Sequence, residues 1–472
     1  MPWNLFSLRI KHIMKYYLFT IGCQMNWSDA ERLASILQSH DCEATQNENQ
    51  ADLIIVVSCS VRQKAMDRIF GSIEKWRLWK KERPLKLILT GCVLPADRIK
   101  LQKDFDIFLE IKDIAGFPQL LGLDKKLKTK ETITNADYLS LDALHSSPFQ
   151  AFIPIMTGCN NYCTYCAVPY TRGQEASRPS SDIINEVKNL INQGYKEITL
   201  LGQNVNAYID PEKNHDKDIL ESRSRDYWRF KKGQAIQWRT ATTKVPKDFS
   251  ELLIKINSLP GNFWIRFLTS NPQDVSEELL KTLPQCEKMT RFFHLPIQSG
   301  DDEILRRMNR RHNRRYYLDL IKRLRAAWPG VAITTDVIVG FPGETNEQFQ
   351  QTAELMKTVK YDMAYLAQYS PRLGTAAARF FPDDVPKKTK MEREKILNDI
   401  LAKTALENNK KLIGTTQKVL IDKRGRGKNV FHGKTEGFKT VEVISTQDLI
   451  GQFINVKIEK ASAWGLAGKL DK

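Results

Sequence analysis

The sequence predicts an α/β chain in three parts: an N-terminal parallel-sheet α/β domain over 14–140, a central partial (β/α)6 barrel over 148–382, and a small C-terminal β-barrel over 413–472, reached through a helical connector at 388–412. Three observations carry this reading. Apolar runs of strand length alternate with amphipathic helical patterns through the first two parts. Six such units, rather than eight, follow one another in the second part. The last sixty residues change character, to five short β runs with glycine-rich turns.

Composition sets the outer bounds. A length of 472 residues accommodates about three domains, each able to bury a core. Hydrophobic content of 42% and charged content of 27% are ordinary for a globular protein. The formal net charge of +17 is not ordinary for a small-molecule enzyme, and it favours a polyanionic partner, most simply nucleic acid. No apolar run approaches the roughly 20 residues of a membrane-spanning helix, so no membrane is expected. The opening MPWNLFSLRIKHIM has neither the continuous apolar core nor the small-residue cleavage site of a signal peptide. Met14 offers an alternative start, which makes the residues before it an extension. Eight cysteines, six of them in ligand-like places, fit a reducing interior better than a disulfide framework, so the expected compartment is the cytoplasm.

In the first domain a strand at 16–21 runs into Gly22-Cys23-Gln24-Met25-Asn26, with a helix from near Asp29. A second run at 52–58 ends at Cys59 and is followed by an amphipathic helix over 62–81. A third, at 86–90, ends at Gly91-Cys92. Each of the three cysteines therefore stands at the carboxyl end of a predicted strand. In an open parallel sheet those ends gather on one edge, where ligands bind. Cysteine is also a small hydrophobe that fills buried strand ends, but three in the same structural place favour ligation. The geometry predicts a three-cysteine iron–sulfur cluster with one open iron. Cys42 and Cys286 have no such placement and read as packing residues.

The second domain is organised around 158–173, GCNNYCTYCAVPYTRG. Cys159, Cys163 and Cys166 form a Cys-x3-Cys-x2-Cys set directly after an apolar run at 151–156. Three thiolates so close can ligate three irons of a [4Fe–4S] cubane, which leaves the fourth iron open to a small molecule. Tyr165, immediately before the third cysteine, is placed to pack against that molecule. A zinc site is the rival reading, but zinc sites favour paired Cys/His spacing and no histidine is near enough to complete the set. The remaining strands are expected at 197–202, 263–270, 291–299, 332–340 and 363–370. A helix follows the first strand, with Ile183, Val187 and Leu190 on its apolar side and Ser180 or Ser181 as cap. Polar residues at strand ends are candidates for contacting the small molecule: Gln203, Asn204 and Asn206, Ser270 and Asn271, Gln298 and Ser299, with Asp336 and Gln368 facing inward. Each has the alternative of capping a helix or satisfying backbone groups.

Between residues 209 and 247 lies a long polar insertion. Its middle interleaves Trp228, Phe230 and Trp238 with Arg229, Lys231, Lys232 and Arg239, a pattern that can stack unpaired bases; a solvated insertion is the favoured alternative. The connector carries Met391, Ile396, Leu397, Ile400 and Leu401 on its apolar side. The C-terminal runs at 417–421, 430–433, 440–444, 453–458 and 466–470 predict an oligonucleotide-binding type barrel. Lys423, Arg424, Arg426 and Lys428 form a basic loop suited to phosphate, so RNA binding is expected of this part.

The cysteine motif resembles that of the radical S-adenosylmethionine (SAM) enzymes. The whole chain from Met14 resembles their methylthiotransferase family, through GCQMN at Gly22, SCSVRQKA at Ser58, GCVLP at Gly91, GCNNYCTYC at Gly158, SRPS at Ser177, LGQNVNAY at Leu201, HLPIQSG at His294, DVIVGFPGET at Asp336 and YSPRLGT at Tyr369. LGQNVNAY and GCQMN look like the branch acting on tRNA that bears an isopentenylated adenosine. The resemblance implies two [4Fe–4S] clusters, on Cys23, Cys59 and Cys92 and on Cys159, Cys163 and Cys166, and a C-terminal TRAM domain. It implies that one SAM methylates a sulfur of the auxiliary cluster while another yields a 5′-deoxyadenosyl radical. By the same resemblance, carbon 2 of N6-dimethylallyladenosine next to the anticodon would gain the methylthio group. It further implies a flavodoxin- or ferredoxin-type electron donor and a sulfur or cluster donor; a monomer is expected. Sister enzymes acting on threonylcarbamoyl-adenosine tRNA or a ribosomal protein are the nearest alternative, and a non-catalytic Fe–S RNA-binding protein a remoter one. Two departures stand out: Ser58 where the family commonly has asparagine, and the longer insertion at 209–247.

Overall fold

The computed structural model describes residues 13–59, 63–123, 134–215 and 247–471. The aromatic–basic stretch of the insertion and the residues before Ile13 lie outside that range. The chain divides into two compact units, Met1–Leu144 and His145–Lys472.

In the first unit, β1 (Lys15–Thr20) leads into helix α1 (Gln24–Gln38), and then come β2 (Glu43–Ala44), β3 (Leu53–Cys59), α2 (Gln63–Glu82), β4 (Lys86–Cys92) and β5 (Ile107–Phe108). The sheet is parallel throughout, in the order β2-β1-β3-β4-β5. Strand β3, LIIVVSC, is buried at every position, which accounts for its continuous apolar run: a central parallel strand is covered on both faces. The strand order reverses between β1 and β3, the place where an open α/β sheet leaves a crevice at its carboxyl edge.

Helix α1 begins five residues before the expected Asp29, at Gln24. Its first turns are polar yet buried, so no apolar stripe announces them. Tyr138 donates to Asp29 at 2.7 Å and Arg32 to Ser28 Oγ at 2.7 Å, hydrogen bonds that hold these buried polar side chains.

Among the described residues the central part of the second unit holds six parallel strands: β6 (Gln150–Pro154), then, after the short pair β7 (Met156–Thr157) and β8 (Ala176–Ser177), β9 (Glu197–Leu201), β10 (Trp264–Phe267), β11 (Phe292–His294), β12 (Ala332–Val339) and β13 (Met363–Gln368). They form two three-stranded sheets, β6-β9-β10 and β11-β12-β13, joined by a parallel bridge between Ile265 and Met289. One continuous core fills the arc. Strands β10 and β11 are markedly shorter than the sequence predicts, β10 covering Trp264–Phe267 rather than 263–270, and β6 stops short of Met156. Strand β6 ends at Pro154, after which Ile155 N–H makes a last bond to Leu201 O at 2.9 Å, and β11 ends at His294, after which Leu295 N–H bonds Thr334 O at 2.8 Å before Pro296, which has no N–H to give. Gln298 rejoins β12 only through an isolated bridge to Val337, at φ +73°.

Helix α3 (Ser180–Asn192) follows β6 with Pro179, not a serine, at its N-cap. The orphan N–H groups are met instead from the loop after β9: Ser180 N–H donates to Asp210 at 3.2 Å and Ser181 N–H to Glu212 at 3.1 Å. The expected connector is a helix of the barrel itself. Helix α4 (Lys387–Lys410) packs along β13, burying Leu397 and Leu401, while Met391 and Ile396 are exposed rather than on its packed side.

The C-terminal strands β14 (Thr416–Arg424), β15 (Val430–Thr435), β16 (Thr440–Ile444), β17 (Phe453–Ala461) and β18 (Leu466–Leu470) close a barrel in the order β14-β15-β16-β18-β17. Alternate residues fill it, among them Val419, Ile421, Phe431, Val441, Val443, Val456 and Ile458. The barrel docks through Phe453, whose ring meets Trp264 at 4.7 Å, and through Phe438, over which the buried Arg266 guanidinium lies at 4.5 Å. These contacts sit near the amino ends of the central strands.

Gly91 makes the first unit's sheet edge sensitive to a single methyl. It sits at φ +98°, and a Cβ there would lie 2.3 Å from the Ser58 carbonyl oxygen. Gly91→Ala is expected to destabilise the unit by about 2 kcal/mol or more. Gly71→Ala, in α2 with nothing within 4 Å of the added Cβ, should stabilise it by about 0.5–1 kcal/mol. Thermal unfolding of the two variants would show shifts of opposite sign.

Candidate functional site

The cysteine loop of the second unit leaves β7 and is pinned from two sides. Gly158, at φ +79°, lets the loop cross residues 173–174, where a Cβ would lie 2.1 Å from the Gln174 carbonyl oxygen. Cys159 N–H donates to Gly173 O at 3.3 Å, and Cys166 N–H to Cys163 O at 2.9 Å, which folds the Cys-x2-Cys end into a turn. From the other side, Asn309 Nδ2 donates to the carbonyls of Asn161 and Tyr162, both at 3.1 Å. Thr164 donates through N–H to Met308 O at 3.0 Å and through Oγ1 to Arg307 O at 2.9 Å. Cys159 and Cys163 are buried and Cys166 is half-buried. Burial, with Glu175 and the two other thiols nearby, pushes the Cys159 thiol well above its ordinary range. Its thiolate therefore needs positive charge beside it.

One such charge is present. Arg310, 7% exposed, donates from one terminal nitrogen to Cys163 Sγ at 3.5 Å and from the other to Pro296 O at 2.9 Å, while its Nε has no partner. No carboxylate among the described residues pairs with it. An unpaired buried cation is costly, so the site calls for an anion, and a thiolate-ligated iron–sulfur cluster is one. Among the described residues no three Cys, His, Asp or Glu side chains converge on a point where a single metal ion would sit. A cubane asks instead for one thiolate at each of several irons. The donor set of Cys159, Cys163 and Cys166 fits that requirement.

The polar residues at the strand ends divide into open and committed groups. Gln203 Oε1, Asn204 Oδ1, Asn271 Oδ1 and Gln273 Oε1 are buried acceptors without a donor. Asn204 Nδ2 is held by Asp274 at 2.7 Å and Gln273 Nε2 by Asn161 at 3.2 Å, which fixes which oxygen stays open. Together they suit a ligand rich in N–H and O–H donors, as SAM is. Asn206 is engaged with the Asn271 backbone at 2.9 and 3.0 Å, Ser270 Oγ donates to His294 O, and Gln368 Nε2 donates to Glu394 at 2.7 Å. Gln298 contributes its backbone, donating to Asp336 O and accepting from Ile338, both at 2.9 Å. Asp336 lies 3.4 Å from His294 Nε2, and His294 Nδ1 lies 2.9 Å from Thr334 Oγ1. Tyr165 packs into an apolar cluster with Ile304, Met308, Phe341 and Tyr369. Sequence reasoning missed Arg310 and Asn309, because both stand in an arginine-rich polar run that reads as solvated surface.

In the first unit, Cys59 and Cys92 are register partners at the ends of β3 and β4. Cys23 is not on a strand; it is the N-cap of α1, in extended backbone. Asn26 ties it down: its Oδ1 accepts from Cys23 N–H at 3.2 Å and from the thiol at 3.5 Å, while its Nδ2 donates to Ser58 O at 3.2 Å. Gly22 abuts Cys59, whose Cβ would lie 2.9 Å from an added Cβ. The three thiols thus stand on one sheet edge, at a helix N-terminus that favours negative charge. Ser58, the departure noted above, is buried with its hydroxyl directed at Met66 Sδ, 3.9 Å away.

Of the expected basic loop, Lys423 and Arg424 belong to the end of β14 rather than to a turn, while Arg426 and Lys428 stand in the turn itself. All four are exposed, and Arg424 pairs with Asp448 at 2.7 Å.

Comparison with known proteins gives matches to the Radical SAM superfamily over residues 153–356, to the Uncharacterized protein family UPF0004 over 15–110 and to the TRAM domain over 410–470. A tRNA-2-methylthio-N(6)-dimethylallyladenosine synthase of Clostridium botulinum (strain Langeland) is 37% identical, covering 98% of both chains. That of Thermoanaerobacter sp. (strain X514) is 38% identical over 96% of this chain and 92% of its own. Among solved structures, the cobalamin-dependent S-adenosylmethionine radical enzyme OxsB superposes with a TM-score of 0.47 at 10% identity, covering 82% of this chain and 56% of that one.

Asn309 sits at φ +57°, so Asn309→Gly removes its amide without straining the backbone. The two lost bonds should loosen the cysteine loop by about 1–3 kcal/mol. Iron retained per chain after anaerobic gel filtration is expected to fall, while unchanged iron would show that the amide does not hold the loop.

Proposed function

This chain belongs to the family of tRNA-2-methylthio-N(6)-dimethylallyladenosine synthases, and we propose that it attaches a methylthio group to carbon 2 of N6-dimethylallyladenosine beside the anticodon of tRNA. The observation that carries this reading is identity at 37% along 98% of both chains, so that all three parts are matched together rather than one domain alone. The chemistry agrees with the need. An aromatic C–H at carbon 2 offers neither an acidic proton nor a leaving group, so acid–base and nucleophilic routes are poor and a cofactor must do the hard step.

In this reading Cys159, Cys163 and Cys166 hold a [4Fe–4S] cluster. With that cluster, SAM would supply the radical chemistry able to take a hydrogen atom from an unactivated C–H. Gln203, Asn204, Asn271 and Gln273 present their open oxygens to SAM, and Tyr165 with Phe341 keeps water from that side. Cys23, Cys59 and Cys92 hold a second [4Fe–4S] cluster, the source of the sulfur, with Asn26 fixing the first of these ligands. A first SAM supplies the methyl group. The exposed Lys423, Arg424, Arg426 and Lys428 bind phosphates of the anticodon stem-loop, whose unpaired adenosine leaves its stack at little cost.

The partners that follow are a flavodoxin- or ferredoxin-type electron donor and a donor of replacement sulfur. No helix among the described residues is long and apolar enough to cross a membrane. With tRNA as substrate, the cytoplasm is the proposed compartment and a monomer the proposed working form.

Reconstituted protein given SAM, dithionite and an anticodon stem-loop RNA should add a methylthio group only when the adenosine is isopentenylated, as read by mass spectrometry of the nucleosides. Release of 5′-deoxyadenosine with no modified RNA would move the substrate to threonylcarbamoyl-adenosine or protein. No 5′-deoxyadenosine at all, with clusters present, would leave a non-catalytic RNA-binding protein. Replacing Arg426 and Lys428 by Ala is expected to weaken stem-loop binding and to lower the slope of log affinity against log salt by about 1–2.

A further inference from the structure

We propose that Arg310 sets the reduction potential of the cluster held by Cys159, Cys163 and Cys166, by placing a fixed positive charge against the Cys163 sulfur. The inference rests on the reading of those cysteines as cluster ligands. It goes beyond that reading in giving a residue outside the motif control of the electron step.

The geometry leaves Arg310 little other purpose. The chain turns at Asn309, φ +57°, and Arg310 N–H caps the preceding helical segment by donating to Leu305 O at 2.8 Å. The side chain then runs inward to 7% exposure, with one terminal nitrogen 3.5 Å from Cys163 Sγ and the other 2.9 Å from Pro296 O. Arg306 and Arg314 differ, the first pairing with Glu303 and the second with Glu354 and Gln351, while Arg307 lies over the Phe381 ring. Among the described residues Arg310 has no such carboxylate, and the acidic groups that face it are the Tyr165 hydroxyl and the thiols of Cys163 and Cys159. At Cys23 the comparable partner is the neutral amide of Asn26.

The direction of the effect follows from Coulomb's law. One electron from a donor of the flavodoxin or ferredoxin class makes the cluster one unit more negative. A buried cation beside a ligand sulfur therefore stabilises the reduced form more than the oxidised one, and a hydrogen bond to the sulfur acts in the same sense. The potential rises, and a donor of given poise reduces a larger fraction of the protein.

The test is an EPR-monitored redox titration of the full-length, anaerobically reconstituted protein, following the reduced-cluster signal that SAM perturbs. Arg310→Gln should shift its midpoint negative by at least 59 mV, a tenfold change for a one-electron couple, with iron content unchanged. Arg310→Lys keeps the charge and should stay within 59 mV of the parent. An unmoved midpoint in Arg310→Gln with iron retained would overturn the proposal, as would equal shifts in both variants, which would point to shape rather than charge. If Arg310→Gln loses iron, Arg310→Lys decides: a parental midpoint supports the charge, and loss of iron there too reduces Arg310 to scaffold and overturns it. A cluster whose signal does not respond to SAM would remove the functional reading and this inference with it.

Discussion

Parallel strands begin at one face and end at another, and the rest of this chain depends on that polarity. Cys59 and Cys92 terminate neighbouring strands in register, and the loop carrying Cys159, Cys163 and Cys166 leaves the short strand after β6. The open amides of Gln203, Asn204, Asn271 and Gln273 follow β9 and β10. The small C-terminal barrel takes the other face of the second unit, against Trp264, Arg266 and Phe292 near the starts of their strands. Chemistry and docking are thus separated by the direction of the backbone, before any side chain is chosen.

The carboxyl ends also have to be made rigid, and the chain does this with neutral amides more than with charges. Asn26 joins Cys23 to Ser58, Asn309 joins itself to the two carbonyls ahead of Cys163, and Asn206 is locked to Asn271. An amide can donate and accept at once, so it ties two loops without bringing a charge into a site proposed to hold a thiolate cluster. Arg310 is the exception, and its lack of a carboxylate is what makes it informative.

Much of this was legible in the sequence because burial leaves a pattern. The run at 53–57 is apolar throughout since β3 is covered on both faces, and the five C-terminal strands alternate because a small barrel has one interior. What escaped was polar and buried. The start of α1 hides behind Asn26, Ser28, Asp29 and Arg32, each of which carries its own hydrogen bonds instead of an apolar face. Asn206 and Gln368 looked like ligand contacts at strand ends, yet the structure commits them to Asn271 and Glu394. Arg310 sits among six arginines between 306 and 315, and only its depth separates it from the solvated ones. Residue type and spacing can nominate a ligand, but the partner that uses up its hydrogen-bonding capacity comes from another part of the chain.

Two three-cysteine clusters are the centre of the account, and iron with acid-labile sulfide per chain measures them most directly. After anaerobic reconstitution the parent should hold about eight irons, and replacing either Cys23, Cys59 and Cys92 or Cys159, Cys163 and Cys166 by Ala should leave about four. A parent with about four irons, unchanged when the N-terminal cysteines are removed, would contradict it and confine the metal chemistry to the central barrel.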